Sequence, residues 1–420
     1  MSISIADNLI NSKAFADAVA SLYGKDADVA AAASKYASIA EIHVKKYGEG
    51  CFYSSPGRIE LCGNHTDHNN GKVLCAAINV DTIACVTKRD DGYIIIESLG
   101  YPAVKVNISD LDKKPEEEGD SAALVRGVCK YYVDNGYAIG GFAASTVSGV
   151  FKGAGVSSSA SFELLVAEIL NVEFNGGKLD KMTKSKASYY AENVYFGKPS
   201  GLLDQSAISL GGVSYIDFKS TTEPVVESID WKFSGVDIVI TNTGGDHCDL
   251  THCYSDIRKE MEQVAEYLGG KTLRDIDESA FYDALPQLQE KASGRAILRS
   301  VHYFDENKRV VEGAKAVKDV DFDKFAQVIG DSGISSYTML QNCYAEQDKA
   351  QRIPLGICLS KKCLGVKAVR VHGGGFAGTI LALVDSAHTA DYVAEMGVIF
   401  GKQNVFAVNI RNDGACKVNI

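Results

Sequence analysis

The sequence lacks the features that mark several specialised classes of protein. None of its eleven cysteines belongs to a Cys-x-x-Cys pair, and their number is odd. A disulfide framework or a zinc site is therefore not indicated, and the pattern is typical of reduced thiols in a cytoplasm. No apolar run reaches the length needed to span a membrane, and the first residues have no basic region followed by an apolar core. We expect a cytoplasmic protein without a membrane partner.

Positive charge is also scarce. The chain has 43 Lys and Arg against 54 Asp and Glu, a net charge of −11. No long basic stretch is available to neutralise phosphates, which argues against a nucleic-acid partner. The contents of 46% apolar and 23% charged residues are those of an ordinary globular protein, and 420 residues suggest two domains. We expect small molecules as partners and a monomer, with a dimer as the alternative.

Hydrophobic patterns predict helices and strands in both halves of the chain, which indicates an α+β fold. Two helices are expected within residues 8–47, as a helical extension at the N-terminus. Further helices are predicted at 121–135, 159–170, 179–196 and 389–400, and through most of 249–345. Strands are predicted within 51–106 and at 213–218, 236–242, 366–371, 379–384 and 405–410. We place the domain boundary between 212 and 235, which divides the chain into residues 1–220 and 221–420.

The segment Pro56–Gly71 places an arginine, two carboxylates, two imidazoles and three glycines between two apolar runs, as a substrate pocket would require. A polar loop between two strands is the plainer interpretation. However, the segment resembles the N-terminal motif of the galactokinases, a branch of the GHMP small-molecule kinases. That pattern runs close to G-R-x-N-L-I-G-E-H-T-D-Y-x-x-G. Asn64 stands at the glutamate of the pattern and His68 at its tyrosine.

The segment Lys152–Ser161 is rich in glycine and serine and precedes an amphipathic helical pattern. Such a loop can bind phosphates through backbone N–H groups and the positive end of the helix. An ordinary serine-capped helix is the alternative. The segment resembles the galactokinase motif P-x-G-x-G-L-S-S-S-A-S. The resemblance implies that ATP is bound by Gly153, Ala154, Gly155, Val156, Ser157, Ser158 and Ser159.

The segment Ala191–Gln205 places one carboxylate at the end of a helix and another at the start of the next. Phosphoryl transfer requires groups that hold Mg²⁺ and orient the acceptor hydroxyl, and carboxylates commonly do both. For Asp204 alone, an interaction with the helix dipole is the simpler explanation. The segment resembles the family pattern A-E-H-x-F-x-G-x-P-x-G-I-M-D-Q. Asp204 then matches the catalytic aspartate, and Glu192 matches a metal-ligand glutamate.

The segment Arg370–Thr379 has three successive glycines between two apolar runs, more than a two-residue hairpin turn requires. They predict close approach of this backbone to another part of the molecule. The segment resembles the third GHMP motif, G-G-G-F-G-G, with Ala377 in place of one glycine.

The segment Asp246–Tyr254 invites a zinc or catalytic-cysteine interpretation. We set it aside because His247 and His252 do not share one helix face and the cysteines have no second pair. In the resemblance, His247 and Tyr254 match a histidine and a tyrosine of the galactokinases. In that family the tyrosine lies beside the sugar.

Together, the resemblances in family order imply a two-domain GHMP kinase fold. The N-terminal domain would be ribosomal protein S5 domain 2-like and the C-terminal domain ferredoxin-like. The implied reaction transfers the γ-phosphoryl of ATP to the anomeric hydroxyl of a hexose. Asp204 would accept or orient the hydroxyl proton, Arg58 would hold Asp204 ionised, and Ser159 and Glu192 would bind Mg²⁺. The implied sugar-binding residues are Asn64, His65, Asp67, Gly201 and Tyr254.

Galactose is the expected substrate, with three alternatives from the same class. Asparagine at 64 removes a charge and would tolerate galacturonate, L-arabinose or N-acetylgalactosamine, and a partly protonated His68 would favour an anionic sugar. A different class is a non-catalytic sugar and ATP sensor. Such sensors tend to lose residues of the serine loop, which is intact at 157–161, so an enzyme is favoured. A mevalonate-type kinase fits the fold but not the pocket at 65–67.

Overall fold

The computed structural model describes residues 5–150, 155–198, 200–244, 250–345, 347–376 and 378–420. The strands are β1 Cys51–Cys62, β2 Lys72–Arg89, β3 Tyr93–Ser98, β4 Val104–Asn107, β5 Gly141–Ser148, β6 Val213–Asp217, β7 Val225–Ile229, β8 Val236–Asn242, β9 Val366–His372, β10 Thr379–Asp385, β11 Val405–Val408 and β12 Cys416–Val418. The helices are α1 Ile5–Ile10, α2 Lys13–Tyr23, α3 Val29–Tyr47, α4 Ser121–Asp134, α5 Ser158–Asn175, α6 Lys181–Tyr190, α7 Leu203–Leu210, α8 Thr251–Tyr267, α9 Glu278–Asp283, α10 Leu285–Lys291, α11 Gly294–Lys318, α12 Phe322–Ser335, α13 Arg352–Ser360 and α14 Thr389–Phe400. The predicted α+β class is confirmed.

The larger sheet follows the order β12-β1-β2-β5-β3-β4, and β6 extends it by pairing with β2 and β7. Its neighbours pair antiparallel, except for β3 and β5, which are parallel. β1 is buried along its length after Cys51, since α5, α7 and α11 all pack against it. A strand buried on both faces can therefore carry Arg58 and Glu60 into the interior of the protein.

The N-terminal extension contains three helices rather than the predicted two. The first helix ends at Ile10, and Ser12 begins the second, because its hydroxyl caps α2 by accepting from the N–H of Phe15 at 3.3 Å. Buried apolar residues of these helices, including Phe15 and Tyr36, pack against Phe52 and Val418 of the larger sheet. The extension therefore covers one face of that sheet.

The smaller sheet has the order β11-β8-β10-β9, with antiparallel pairing throughout. Its apolar side chains pack with those of α13 and α14. The predicted strand 236–242 and helix 389–400 coincide with β8 and α14.

The strand β5 of the larger sheet was not predicted, and neither were two short strands, β7 and β12. Both short strands lie after residue 220, yet both pair within the larger sheet. Exposed polar residues interrupt the alternation in β7, and β12 has only three residues. The division into domains 1–220 and 221–420 stays a prediction.

The helix predicted at 179–196 ends as an α-helix at Tyr190 and continues as a π-helix over Ala191–Phe196. Gly197 then ends it with a φ of 83°, which is the left-handed backbone expected of a C-terminal glycine. The wider turn places Glu192 at the end of the helix. In the part of the chain that the structure describes, no helix combines the length and apolar character needed to cross a membrane.

Candidate active site

Arg58 and Asp204 form the central ion pair of the site. Strand β1 brings Arg58 to the first turn of α7, where its Nε and Nη2 donate to the two carboxylate oxygens of Asp204 at 2.6 and 2.9 Å. The Arg58 side chain is 7% exposed and that of Asp204 is 32% exposed. This bidentate pairing fixes the carboxylate plane and leaves part of it open to a ligand.

The pKa of Asp204 lies below its ordinary value. Burial alone would raise this pKa, but the charge of Arg58 and hydrogen bonds from Arg58 and Ser157 outweigh it. The group is therefore an ionised carboxylate at neutral pH.

The serine loop meets this ion pair directly. Arg58 Nη1 donates to the carbonyl of Gly155 at 2.6 Å, and the hydroxyl of Ser157 donates to Asp204. Ser157 occupies the N-cap position of α5 with a left-handed φ of 65°, but its side chain makes no capping hydrogen bond there. An ordinary serine-capped helix start is therefore wrong for this loop. Gly153 and Ala154 lie outside the described residues.

Ser159 and Glu192, the two predicted metal ligands, are in contact. The hydroxyl of Ser159 and the Nζ of Lys198 both donate to Glu192 Oε1, at 2.9 and 2.8 Å. Ser200 Oγ and Gln205 Nε2 donate to Oε2 at 2.7 and 2.8 Å. The Glu192 side chain is 2% exposed, whereas that of Lys198 is 54% exposed. A buried carboxylate is thus held beside the serine loop, with a half-exposed cation next to it.

No group of three His, Cys, Asp or Glu side chains is placed to hold a metal ion within the described ranges. Ser159 and Glu192 supply two oxygen donors. That set fits Mg²⁺, which usually binds one or two protein ligands together with nucleotide phosphates.

The side chain of Asp67 packs directly against the backbone of Gly201. A Cβ atom at position 201 would lie 1.6 Å from Asp67 Oδ2, so only glycine fits there. Asp67 accepts from the N–H of His68 at 2.9 Å and from that of Leu203 at 3.4 Å. Burial, followed by the charges of Asp204 and Glu60, raises the pKa of Asp67 to about 6. The loop after β1 and the start of α7 are therefore joined at two predicted site residues.

His65 and His68 are neutral and share a chain of hydrogen bonds. His65 Nε2 lies 2.8 Å from the carbonyl of Gly374, which can only accept, so Nε2 carries the proton. His65 Nδ1 then accepts from His68 Nε2 at 3.3 Å, and His68 Nδ1 accepts from Asn69 Nδ2 at 3.0 Å. Burial lowers the pKa of His65 to about 4 and that of His68 well below its ordinary value. A partly protonated His68, the condition under which an anionic sugar would be favoured, is therefore not indicated.

The three glycines after β9 lie against neighbouring elements, as predicted. A Cβ atom at Gly374 would lie 2.6 Å from Cε1 of Tyr254, and one at Gly375 would lie 2.1 Å from the carbonyl oxygen of Asn342. The Tyr254 hydroxyl donates to the carbonyl of Gly375 at 2.8 Å. The glycine loop therefore joins α8 to the loop of His65. His247 and Ala377 lie outside the described residues.

Asn64 is fully buried, and the protein uses the hydrogen-bonding capacity of its side chain. Nδ2 donates to Gly373 O at 2.9 Å and to Glu60 Oε2 at 3.3 Å. Oδ1 accepts from Ser336 Oγ at 3.1 Å and from Asn342 Nδ2 at 2.8 Å. A contact between Asn64 and a sugar hydroxyl would require these bonds to rearrange.

Two buried carboxylates that the sequence analysis did not single out support this loop. Glu60 pairs with Arg370, and Glu306 of α11 accepts from the N–H groups of Gly63 and Asn64 at 2.9 and 3.3 Å. The sequence signal for Glu60 was a charged residue inside a predicted strand, between the apolar residues Ile59 and Leu61. Glu306 gave no comparable signal, since the residues of the loop that it contacts lie more than 240 positions away in the sequence.

Chemically, the arrangement combines an ionised carboxylate, a fixed guanidinium, a glycine–serine loop at a helix start and a second carboxylate suited to a divalent cation. These are the groups that align an acceptor hydroxyl and a phosphoryl donor. Asp67 and the neutral His65 add polar groups near the same carboxylate.

Comparison with known proteins gives matches over most of the chain. Residues 41–88 match the galactokinase galactose-binding signature, and residues 123–212 match the GHMP kinases N terminal domain. The galactokinase of Clostridium tetani is 31% identical over 355 residues, which cover 82% of this chain and 87% of that protein. The galactokinase of Lacticaseibacillus casei is 29% identical over 386 residues, which cover 89% and 96%.

Solved structures show the same fold. The crystal structure of Lactococcus lactis galactokinase complexed with galactose matches with a TM-score of 0.79 at 24% identity, covering 91% of this chain and 99% of that one. The Methanococcus jannaschii mevalonate kinase matches with a TM-score of 0.60 at 13% identity, covering 87% and 99%. The predicted GHMP kinase fold is confirmed.

Proposed function

The chain belongs to the galactokinase family, and from that premise we propose that it transfers the γ-phosphoryl group of ATP to the anomeric hydroxyl of galactose, giving galactose 1-phosphate and ADP. The observation that carries the proposal is the ion pair of Arg58 and Asp204, placed between the serine loop and the loop that contains Asp67.

Asp204 is the group proposed to orient the anomeric hydroxyl and to accept its proton. Its lowered pKa makes it a weak base. Proton transfer is therefore expected late, after the bond to phosphorus has begun to form. Catalysis then depends mainly on the alignment of the hydroxyl with the phosphoryl group.

Arg58 has two proposed tasks that depend on its geometry, and a third role as a positive charge. It keeps Asp204 ionised through the bidentate pair, and its remaining donor holds the serine loop at Gly155. As a permanent cation it also offsets negative charge that builds on the phosphoryl oxygens. Replacement by lysine would lose the fork geometry on which both tasks depend.

Nucleotide and metal binding are proposed at the serine loop. The start of α5 supplies backbone N–H groups for phosphates, and Ser159 with Glu192 would hold Mg²⁺, which neutralises phosphate charge when bound. Lys198, half exposed and paired with Glu192, would supply a further positive charge beside the phosphates.

Galactose is proposed to bind between Asp67, His65 and Tyr254. Asp67 would accept hydrogen bonds from sugar hydroxyls, and its place on Gly201 fixes its direction. A neutral His68 removes the argument for an anionic sugar. Galacturonate is therefore not favoured, and the similarity to galactokinases supports galactose over L-arabinose and N-acetylgalactosamine. A monomeric state and a cytoplasmic location stay predictions.

The test is to incubate the protein with galactose, ATP and Mg²⁺ and to identify the product by phosphorus NMR. We expect galactose 1-phosphate and one ADP for each sugar phosphorylated. In Asp204→Asn the turnover should fall about 100-fold or more, while the exposed matched control Asp26→Asn keeps full turnover. Galactose binding without turnover in the wild type would instead identify a sensor, and near-normal turnover in Asp204→Asn would exclude the proposed base.

A further inference from the structure

Two positions of the segment Pro56–Gly71 have exchanged residue types relative to the galactokinase pattern. That pattern has asparagine at position 60 and glutamate at position 64, whereas this chain has Glu60 and Asn64. Each residue type is thus present in the place of the other.

The two exchanged residues touch each other. Asn64 Nδ2 donates to Glu60 Oε2 at 3.3 Å, and the residues are 0% and 5% exposed. An irregularity in the pairing of β1 and β2 between Glu60 and Cys62 bends the chain so that positions 60 and 64 face one another. An exchange between touching buried residues keeps one carboxylate and one amide in the same small volume.

A carboxylate at position 60 is required by Arg370. Glu60 Oε1 accepts from Arg370 Nη2 at 2.6 Å, and the Arg370 side chain is 0% exposed. The other guanidinium donors of Arg370 bind the carbonyls of Leu61 and Val371 at 2.8 and 2.9 Å. An amide at position 60 would remove the charge that pairs with a fully buried cation.

An amide at position 64 is required by Gly373. The Nδ2 group of Asn64 has two acceptors, the Gly373 carbonyl and the Glu60 carboxylate. A carboxylate at position 64 would bring its oxygen against both and could donate to neither. Glu306, which accepts from the N–H of Asn64 at 3.3 Å, would add a third negative charge nearby.

We propose that Glu60 and Asn64 are a compensated pair of positioning residues, which act as one unit to hold the loop of His65 and Asp67 against the glycine loop of Gly373 and Gly374. Neither residue type works in its position without the other. The pair rests on the proposed function only for its effect on sugar binding, since the contacts themselves do not depend on the substrate.

The exchange has a consequence for substrate choice. The negative charge that asparagine removes at position 64 returns at position 60, about 3.3 Å away. The number of carboxylates at the two positions is unchanged, so the exchange itself adds no positive charge that would attract a 6-carboxylate. Galacturonate is therefore expected to stay a poor substrate despite Asn64.

A double-mutant cycle with isosteric substitutions tests the pair. The variants are Glu60→Gln, Asn64→Asp and the double variant Glu60→Gln/Asn64→Asp. We expect Asn64→Asp to raise the KM for galactose about tenfold or more in the wild-type background. This change corresponds to a loss of about 1.4 kcal/mol in the free energy of galactose binding. In the Glu60→Gln background the same substitution should raise it by a clearly smaller factor, because the carboxylate at position 64 then faces an amide instead of the carboxylate of Glu60, although the Gly373 carbonyl still lacks its donor.

The KM for ATP separates positioning from a general loss of structure. It should stay within about threefold of the wild type in all three variants, because the pair contacts the sugar loop rather than the serine loop. The exposed matched controls Glu116→Gln and Asn8→Asp should change neither KM. Equal effects of Asn64→Asp in both backgrounds would overturn the proposal, as would coupled unfolding temperatures with an unchanged galactose KM.

Thermal unfolding of the same variants tests the pair even where a variant has too little activity for kinetic measurements. Rescue of an unfolded Asn64→Asp by Glu60→Gln would support the pair, whereas failure of both Asn64→Asp and the double variant to fold would overturn it. If the wild type does not phosphorylate galactose, the proposed function fails. The coupling of unfolding temperatures then still decides whether the two residues act as one unit.

Discussion

At Asp204 two opposing effects act on one carboxyl group, burial and the charge of Arg58, and the charge prevails. Asp67 has no ion pair with any residue that the structure describes, and burial with the charges of Asp204 and Glu60 raises its pKa to about 6. The two aspartates therefore differ in protonation between pH 5 and 7, although both face the same pocket. This difference in protonation can be tested through the pH dependence of galactose binding.

We predict that the KM for galactose rises as the pH falls below about 6. The pKa of Asp67 is about 6, so its carboxylate, which would accept from the sugar, is present above this pH and lost below it. His65, with a pKa of about 4, and His68, with a pKa well below its ordinary value, do not titrate in this window. The measurement is the galactose KM from pH 5 to 8.

The matched variant is Asp67→Asn, which cannot ionise. Its KM for galactose should be high and nearly constant over the same range of pH. A wild-type KM that does not change between pH 5 and 8 would contradict the assignment of Asp67 as a sugar ligand.

At the scale of elements, the site is formed where loops from distant parts of the chain meet. The turn after β1, the start of α5, the start of α7 and the glycine loop each supply one or two groups, and glycines allow the close approaches. At Gly375 a φ of 81° and the carbonyl of Asn342 together exclude a side chain. Motif patterns predicted these elements well because each motif is local in sequence.

We predict that Gly375→Ala lowers kcat/KM for galactose about tenfold or more and reduces stability. A Cβ atom there would lie 2.1 Å from a backbone oxygen, and the left-handed backbone costs an alanine about 1–2 kcal/mol in addition. The measurements are steady-state kinetics and thermal unfolding.

Gly330→Ala in α12 is the control, because nothing lies within 4 Å of a Cβ atom there. In a helix interior this change should stabilise the protein by up to about 1 kcal/mol. Equal behaviour of the two variants would show that the glycine loop does not need its close contacts.

Across the whole molecule, most of the elements followed from periodicity, whereas β5, α13 and the contacts between the halves did not. The predicted strand 236–242 and helix 389–400 match the structure because their patterns are strong and locally bounded. The surroundings of Asn64 could not be predicted, since Ser336, Asn342 and Gly373 lie more than 270 positions away. The strands β7 and β12 were missed because pairing with the larger sheet determines them rather than their own sequence.

Glu306 connects distant parts of the chain, because it joins α11 to the turn after β1. It accepts from Ser332 Oγ at 2.5 Å and from Arg309 Nε at 2.6 Å, as well as from two backbone N–H groups. Burial raises its pKa, but the charges of His302, Arg309 and Arg370 and the bond from Ser332 lower it well below the ordinary 4.5. Its stabilising effect is therefore present above about pH 4.5 and lost as the pH falls further.

We predict that Glu306→Gln lowers the free energy of unfolding at pH 7 by about 3 kcal/mol and weakens the loss of stability below pH 4.5. Denaturant unfolding at several pH values measures both. Glu312→Gln on the same helix is the control, because its ion pair with Lys324 is half exposed and should contribute less than about 1 kcal/mol. Equal losses in the two variants would contradict the role given to Glu306.

The most direct measurement of the central claim is kcat/KM with Mg²⁺ and ATP across galactose, galacturonate, N-acetylgalactosamine, L-arabinose and glucose. We predict that galactose leads every other sugar by about tenfold or more, a difference of about 1.4 kcal/mol in transition-state stabilisation, because the pocket keeps its carboxylates and its histidines are neutral. A lead of the same size for another sugar would contradict the assignment of galactose as the substrate.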